Sequence, residues 1–373
     1  MKKITAILIA FMICVNICIV CQASSLNSNY LIKKNGDISD TITLETKQEI
    51  EDIAQKWLIE NYKEFYDIAD MQTTLKRAFN NGVTTNYTVS ITCKTRLKAD
   101  NVEDLPFVKG LFDEKNSQPG LTTMQKERIN DYVKTIDFSK EYETLSIDIV
   151  VAVNNTTDAE TKLYAQDGMD TTLYPIEMLA LNEEQMYKEG QSTARSLIIA
   201  SAEGKDTRGY SNYNRLDARD YAFSWTGSSV VSCYDDGPTC PILQDRTLWN
   251  NSTYPYINNL KHNDCADFVS QCFCAGGIPV DPENWDRFND SSNNWAWTFV
   301  LSLKLYMLGK HYWNSSTFAQ AAAGGILYWS DDTHIALITA NDTVTHRYTA
   351  HTSDRYNYVF TASTSYYYYI INQ

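Results

Sequence analysis

The run Asp264-Cys265-Ala266-Asp267-Phe268-Val269-Ser270-Gln271-Cys272-Phe273 holds a thiol at a place suited to nucleophilic attack. Apolar residues fall at Cys265, Phe268, Val269, Cys272 and Phe273, the i, i+3, i+4, i+7, i+8 spacing of an amphipathic helix. Asp264 is a favourable N-cap, and Gly276-Gly277 a favourable stop. Cys265 therefore opens a helix, where the first-turn amides and the positive end of the helix dipole favour thiolate, the form that attacks a carbonyl carbon. Such a nucleophile needs a base. The chain has five histidines, His262, His311, His334, His346 and His351. His334 begins an alternating run, His334-Ile335-Ala336-Leu337-Ile338-Thr339, that reads as a half-buried strand, after a strand ending at Trp329 and a turn at Ser330 to Thr333. A single buried Cys or strand His is more often packing than chemistry. Here cap, helix face and chain order agree, and they predict a Cys265–His334 pair close enough for proton transfer, within about 4 Å.

The same residues resemble a family. Asp264-Cys265-Ala266-Asp267-Phe268-Val269-Ser270-Gln271 with Gly276-Gly277 is similar to the signature of the bacterial secreted "putative amidase domain" proteins, relatives of the NlpC-type papain-like cysteine peptidases. Tyr213-Asn214-Arg215 with Tyr221-Ala222, then Trp295 and Trp297, then Ala350-His351-Thr352-Ser353-Asp354 match in order. The chain departs from that family at Ala266 and Asp267, where Thr and Asn are usual, and at Gly325, where Asp is usual. Asp267 is expected to place a negative charge near the thiol. The resemblance implies a papain-like or NlpC-like cysteine hydrolase domain, with a helix bearing the Cys packed on an antiparallel sheet bearing the His. It also points to His351 as the third residue, orienting His334. His346 lies on the same strand with opposite parity, so only one of the two can face His334. His262 and His311 lie in polar loop-like surroundings and are assigned no role. Trp295 and Trp297, in the polar neighbourhood of Asn293-Asn294, are the better candidates for a substrate groove.

Composition frames this site. Lys2 and Lys3 precede an apolar run from Ile4 to Val20 and then Cys21-Gln22-Ala23, the pattern of a secretory signal peptide over residues 1–23. The mature protein is expected to be secreted, extracellular and wall-associated, without stable membrane association. A formal net charge of −14 disfavours nucleic acid as a partner. Cys233 and Cys240 bracket a turn-rich segment and form a candidate disulfide. Cys265, Cys272 and Cys274 fit no common zinc spacing, so no metal and no organic cofactor is implied.

Residues 24–182 carry no catalytic signal. A helical stripe runs through Ile50, Ala54, Leu58 and Tyr62, and alternating strands cover Tyr87 to Cys93 and Leu145 to Val153. This predicts a separate N-terminal α+β domain of cystatin-like or NTF2-like type, acting in substrate or wall binding, as a pro-region or as a spacer. Residues 183–210 read as a connector to the amidase-like domain at 211–373. The function expected is an exported cysteine amidase or peptidase acting on a cell-wall peptide or protein amide. An acyl transferase with the same Cys–His chemistry and an inactive wall- or protein-binding domain stay open as alternatives.

Overall fold

Alternation of apolar and polar residues builds the long strands of the first half. β1 (Tyr66–Asn80), β2 (Thr84–Leu97) and β3 (Glu143–Asn154) form an antiparallel meander. One face turns Val89, Ile91, Cys93, Leu145, Ile147, Ile149 and Val151 inward. α1 (Leu44–Tyr62) covers that face with Ile50, Ala54, Leu58 and Tyr62, and its N-terminus is capped by the Thr43 hydroxyl. The computed structural model describes residues 42–155, 161–166, 173–202, 212–228, 231, 240, 242–256, 262–287 and 295–371. The expected signal peptide lies outside the described residues.

The segment expected to be a connector is a helix. α4 (Glu183–Ala202) buries Met186, Ala194, Leu197 and Ile198 in the N-terminal core and packs against α2 (Pro106–Ser117), with α3 (Thr123–Lys134) beside it. Glycine makes the crossing possible. A Cβ on Gly110 would lie 2.0 Å from the Tyr187 carbonyl oxygen, and one on Gly190 would lie 1.9 Å from that of Phe107. The two backbones touch where side chains would hold them apart. Gly190→Ala is therefore expected to cost about 3 kcal/mol, the upper end of overpacking penalties, read as a lower urea midpoint. An unchanged midpoint would mean that the helices can move apart freely.

The described strands of both halves belong to one 11-stranded sheet, ordered β1-β2-β3-β10-β9-β8-β7-β11-β6. β4 (Thr161–Gln166) and β5 (Leu173–Pro175) continue from β3 on a branch. The C-terminal strands are β6 (Trp313–Ser316), β7 (Ile326–Trp329), β8 (Ile335–Asn341), β9 (His346–Ala350), β10 (Arg355–Phe360) and β11 (Tyr366–Ile371). Their pairings are antiparallel, and the halves join through a parallel contact of β10 with β3 at Tyr358 and Ser146. The architecture is thus α+β, as expected, but two separate sheets are replaced by a single mixed one.

Alternation along the C-terminal strands divides two cores. Ile326, Tyr328, Ile335 and Leu337 face α5 (Arg215–Ser224), α6 (Cys265–Ala275) and α8 (Val300–Gly309), with the short α7 (Trp295–Thr298) between the last two. Leu327, Trp329, Ala336, Ile338, Tyr348, Tyr358 and Phe360 form the core on the other face. α6 is central: every residue from Cys265 to Phe273 is buried. Its polar residues find partners inside. The Ser270 hydroxyl donates to the Trp297 carbonyl at 3.0 Å, and the Tyr221 hydroxyl donates to Gln271 Oε1 at 2.8 Å.

Candidate active site

Cys265 occupies the first position of α6, as its spacing predicts, and is 3 % exposed. Its sulfur lies at the ends of β8 and β9, where the Ile335 amide and the Thr352 hydroxyl reach it. Burial nevertheless dominates. It pushes the thiol up to about 11, against the lowering by those two donors and with a further rise from the charge of Asp264. The expected helix-terminus thiolate is therefore corrected: at neutral pH the resting group is a thiol, because desolvation of the sulfur outweighs the donors that reach it. Burial also takes Cys93, in the N-terminal core, and Cys274 up to about 12 and Cys272 well above the ordinary thiol range.

His334 stands immediately before β8, one peptide from the amide that meets the thiol. Its ring turns to Trp329, 4.6 Å away and edge-on, on the face that carries Ala336 and Ile338. Burial, then the nearby charge of Arg355, lowers the imidazole to about 3, so it is neutral. Its Nδ1 is buried without a hydrogen-bond partner, and among the described residues no hydrogen bond joins this ring to Cys265. The strand brings the two residues together at the backbone, while the parity of His334 aims its ring at the opposite core.

His351 does not orient His334. Its Nε2–H donates to the Trp225 carbonyl at 2.9 Å, and its Nδ1 shares a proton with Asp264 Oδ2 at 2.7 Å. The ring is clamped between Phe268, 3.8 Å away, and Trp249, 4.3 Å away. Both nitrogens are thus committed to α6 and to the segment after α5. His346 lies at the far end of β9, stacked on Phe318 at 3.8 Å. Asp264 occupies the N-cap position, yet its carboxyl makes no cap bond because it turns to His351.

Around this pair lies a buried acidic cluster. Burial raises Asp264 to about 7 and Asp267 to about 7, the latter aided by the charge of Asp264, and their carboxyls contact one another. Arg287 Nε donates to Asp267 Oδ1 at 3.0 Å, and the Trp297 indole N–H donates to the same oxygen. Two carboxyls this close in a dry site hold a proton between them. The concern that Asp267 opposes the thiol is corrected as well: the acid acting on Cys265 is Asp264. Trp297 is corrected from groove to core, being 0 % exposed with its N–H taken by Asp267, whereas Trp295 is 54 % exposed and stacks on Phe299. Cys233 lies outside the described residues, and with it the expected bridge; Cys240 Sγ sits 3.8 Å from His262 Nε2.

The cluster predicts a pH effect. Asp267 has a folded value near 7 and an unfolded value near 4, so its contribution to stability is full below about pH 4 and is lost as pH rises through 7. Asp267→Asn cannot ionise and keeps an oxygen for Trp297. The drop in Tm between pH 5 and pH 8 should therefore be smaller in the variant, by a difference of about 1 kcal/mol for a carboxyl that shares its proton. Parallel Tm profiles would show that the carboxyl does not ionise in this range.

Sequence reasoning missed Thr352 and the Ile335 amide. The signal for Thr352 was its place directly after His351, where a hydroxyl beside a buried histidine suggests contact with the same helix end. Residues 212–371 match the family model described as "Putative amidase domain", somewhat under half of the chain. No curated protein and no solved structure matches the chain.

Proposed function

We propose that this protein is an exported, cysteine-dependent amide hydrolase acting on peptidoglycan stem peptides or related cell-wall amides. The observation that carries the reading is the buried Cys265 at the start of α6, a helix packed on β8, the strand that His334 directly precedes, within the segment matching the amidase model. Resting thiol and resting imidazole are both neutral, so the proton moves only as the bond forms. Cys265 sulfur attacks the carbonyl carbon while its proton passes to His334 Nδ1. The C–N bond then breaks as that proton goes to the leaving amine, and water hydrolyses the thioester with His334 as base. The mechanism requires the buried His334 ring to leave Trp329 and the opposite core and to reach the thiol when substrate is bound, a rearrangement larger than the tightening of a loose catalytic hydrogen bond. His351, Asp264 and Asp267 fix the start of α6, and hence the direction of the sulfur.

Incubation with purified peptidoglycan followed by mass analysis of released fragments tests this. New amino termini in stem peptides, unaffected by chelator, are expected. Products that incorporate an added amine in place of water would reassign the protein as a transferase, and intact peptidoglycan would remove the wall substrate.

A further inference from the structure

We propose that Thr352 is the thiol-positioning residue of this site, its hydroxyl aimed at Cys265 Sγ by a strained backbone. The inference rests on the reading of Cys265 as the nucleophile. Thr352 follows β9 with φ of +84°, the left-handed region that β-branched residues rarely adopt. It is 3 % exposed, so the conformation is imposed by its surroundings and not by solvent. The Asp264 amide donates to Thr352 Oγ1 at 3.0 Å. A threonine hydroxyl that accepts at its oxygen still has one hydrogen to give. That hydrogen goes, in this proposal, to the sulfur of Cys265, the residue after the one whose amide the hydroxyl already holds.

One side chain therefore ties the N-terminus of α6 to the end of β9 and points a donor at the thiol. A donor to sulfur favours the thiolate over the thiol and restricts the rotation of the cysteine side chain. An extended backbone at Thr352 would take the hydroxyl away from both partners, which gives the strain a purpose. Neighbouring His351 completes the arrangement, since its bond to Asp264 holds the same helix end from the other side.

The test is the pH dependence of iodoacetamide modification of Cys265 in the full chain, with the labelled peptide identified by mass spectrometry. Thr352→Val keeps the shape and loses the hydroxyl. Its profile should move up by about one pH unit, so that labelling at pH 8 is about tenfold slower than in the parent. Thr352→Ser keeps the hydroxyl and should stay within about twofold of the parent. Thr352→Gly, which suits a left-handed φ, removes the hydroxyl without disturbing the turn and should slow labelling like the valine. A folded Val or Gly variant that labels like the parent, or a Ser variant as slow as Val, overturns the proposal. Labelling does not depend on substrate, so this outcome is separate from that of the hydrolase reading, which is decided by Cys265→Ala.

Discussion

Amide hydrolysis is expected to fall to background in Cys265→Ala, while the unfolding midpoint should move little. In the proposed mechanism the sulfur supplies the bond-forming electrons, and no other group takes its place. The packing loss is a single buried sulfur, about 1 kcal/mol at most. His334→Ala should retain the thiol and lose about 10² to 10⁴ in rate, the range set by general-base catalysis. His351→Ala should act differently from either. It removes the partner of Asp264 and the ring between Phe268 and Trp249, so it should lower both stability and rate. The ionisation of the thiol gives a second readout. With Cys265 held near 11, alkylation should climb about tenfold per pH unit from 7 to 10. A plateau at neutral pH would mean that the helix terminus and its donors outweigh burial after all. Full activity in Cys265→Ala would end the cysteine mechanism.

The parts of this site legible in the sequence are those governed by local periodicity. The helix from Cys265, the strand after His334 and the strand carrying His346 each follow from spacing along one element, and each is present. Side-chain direction at an element's end is less legible. His334 precedes β8, and its parity is that of Ala336 and Ile338, but which face meets α6 depends on how the sheet is packed. The destination of Asp264 depends on a tertiary partner. A carboxylate at an N-cap normally serves its own helix, yet a buried imidazole 2.7 Å away is the stronger claim on it. Tryptophan at 297 among polar residues looked solvent-facing, and the buried acid that needs its N–H is thirty positions away. α4 was hidden for another reason: its packing face is built on Gly190 and Ala194 as well as Leu197 and Ile198, so no broad apolar stripe announces it.

The segment 212–371 expressed alone is expected not to fold, although it is the part that matches the family model. Its central strands end against the N-terminal half. The Arg347 guanidinium, only 2 % exposed, bonds Glu143 at 2.9 Å and Asp342 at 3.1 Å and also donates to the Thr144 carbonyl. The Tyr66 hydroxyl donates to the same Asp342 at 2.7 Å. Asp137 accepts from the amides of Asn341 at 2.9 Å and Ala323 at 3.2 Å, and from Arg215 at 2.6 Å. These contacts bridge the halves at the turn between β8 and β9, the strands whose ends hold Cys265. Cutting the chain exposes the edge of β10, strips Arg347 of one carboxylate and leaves Asp137's three donors without their acceptor. Breaking even one buried pair costs about 3–5 kcal/mol, comparable with the whole stability of a small domain. In the full chain, Arg347→Ala should lose stability on that scale, because Asp342 stays buried without its cation. Circular dichroism melts of the excised segment and of Arg347→Ala decide the matter. A cooperative transition in the excised segment within a few degrees of the full chain would make the N-terminal half a detachable pro-region or spacer; its absence makes β1 to β3 part of the scaffold that sets the nucleophile.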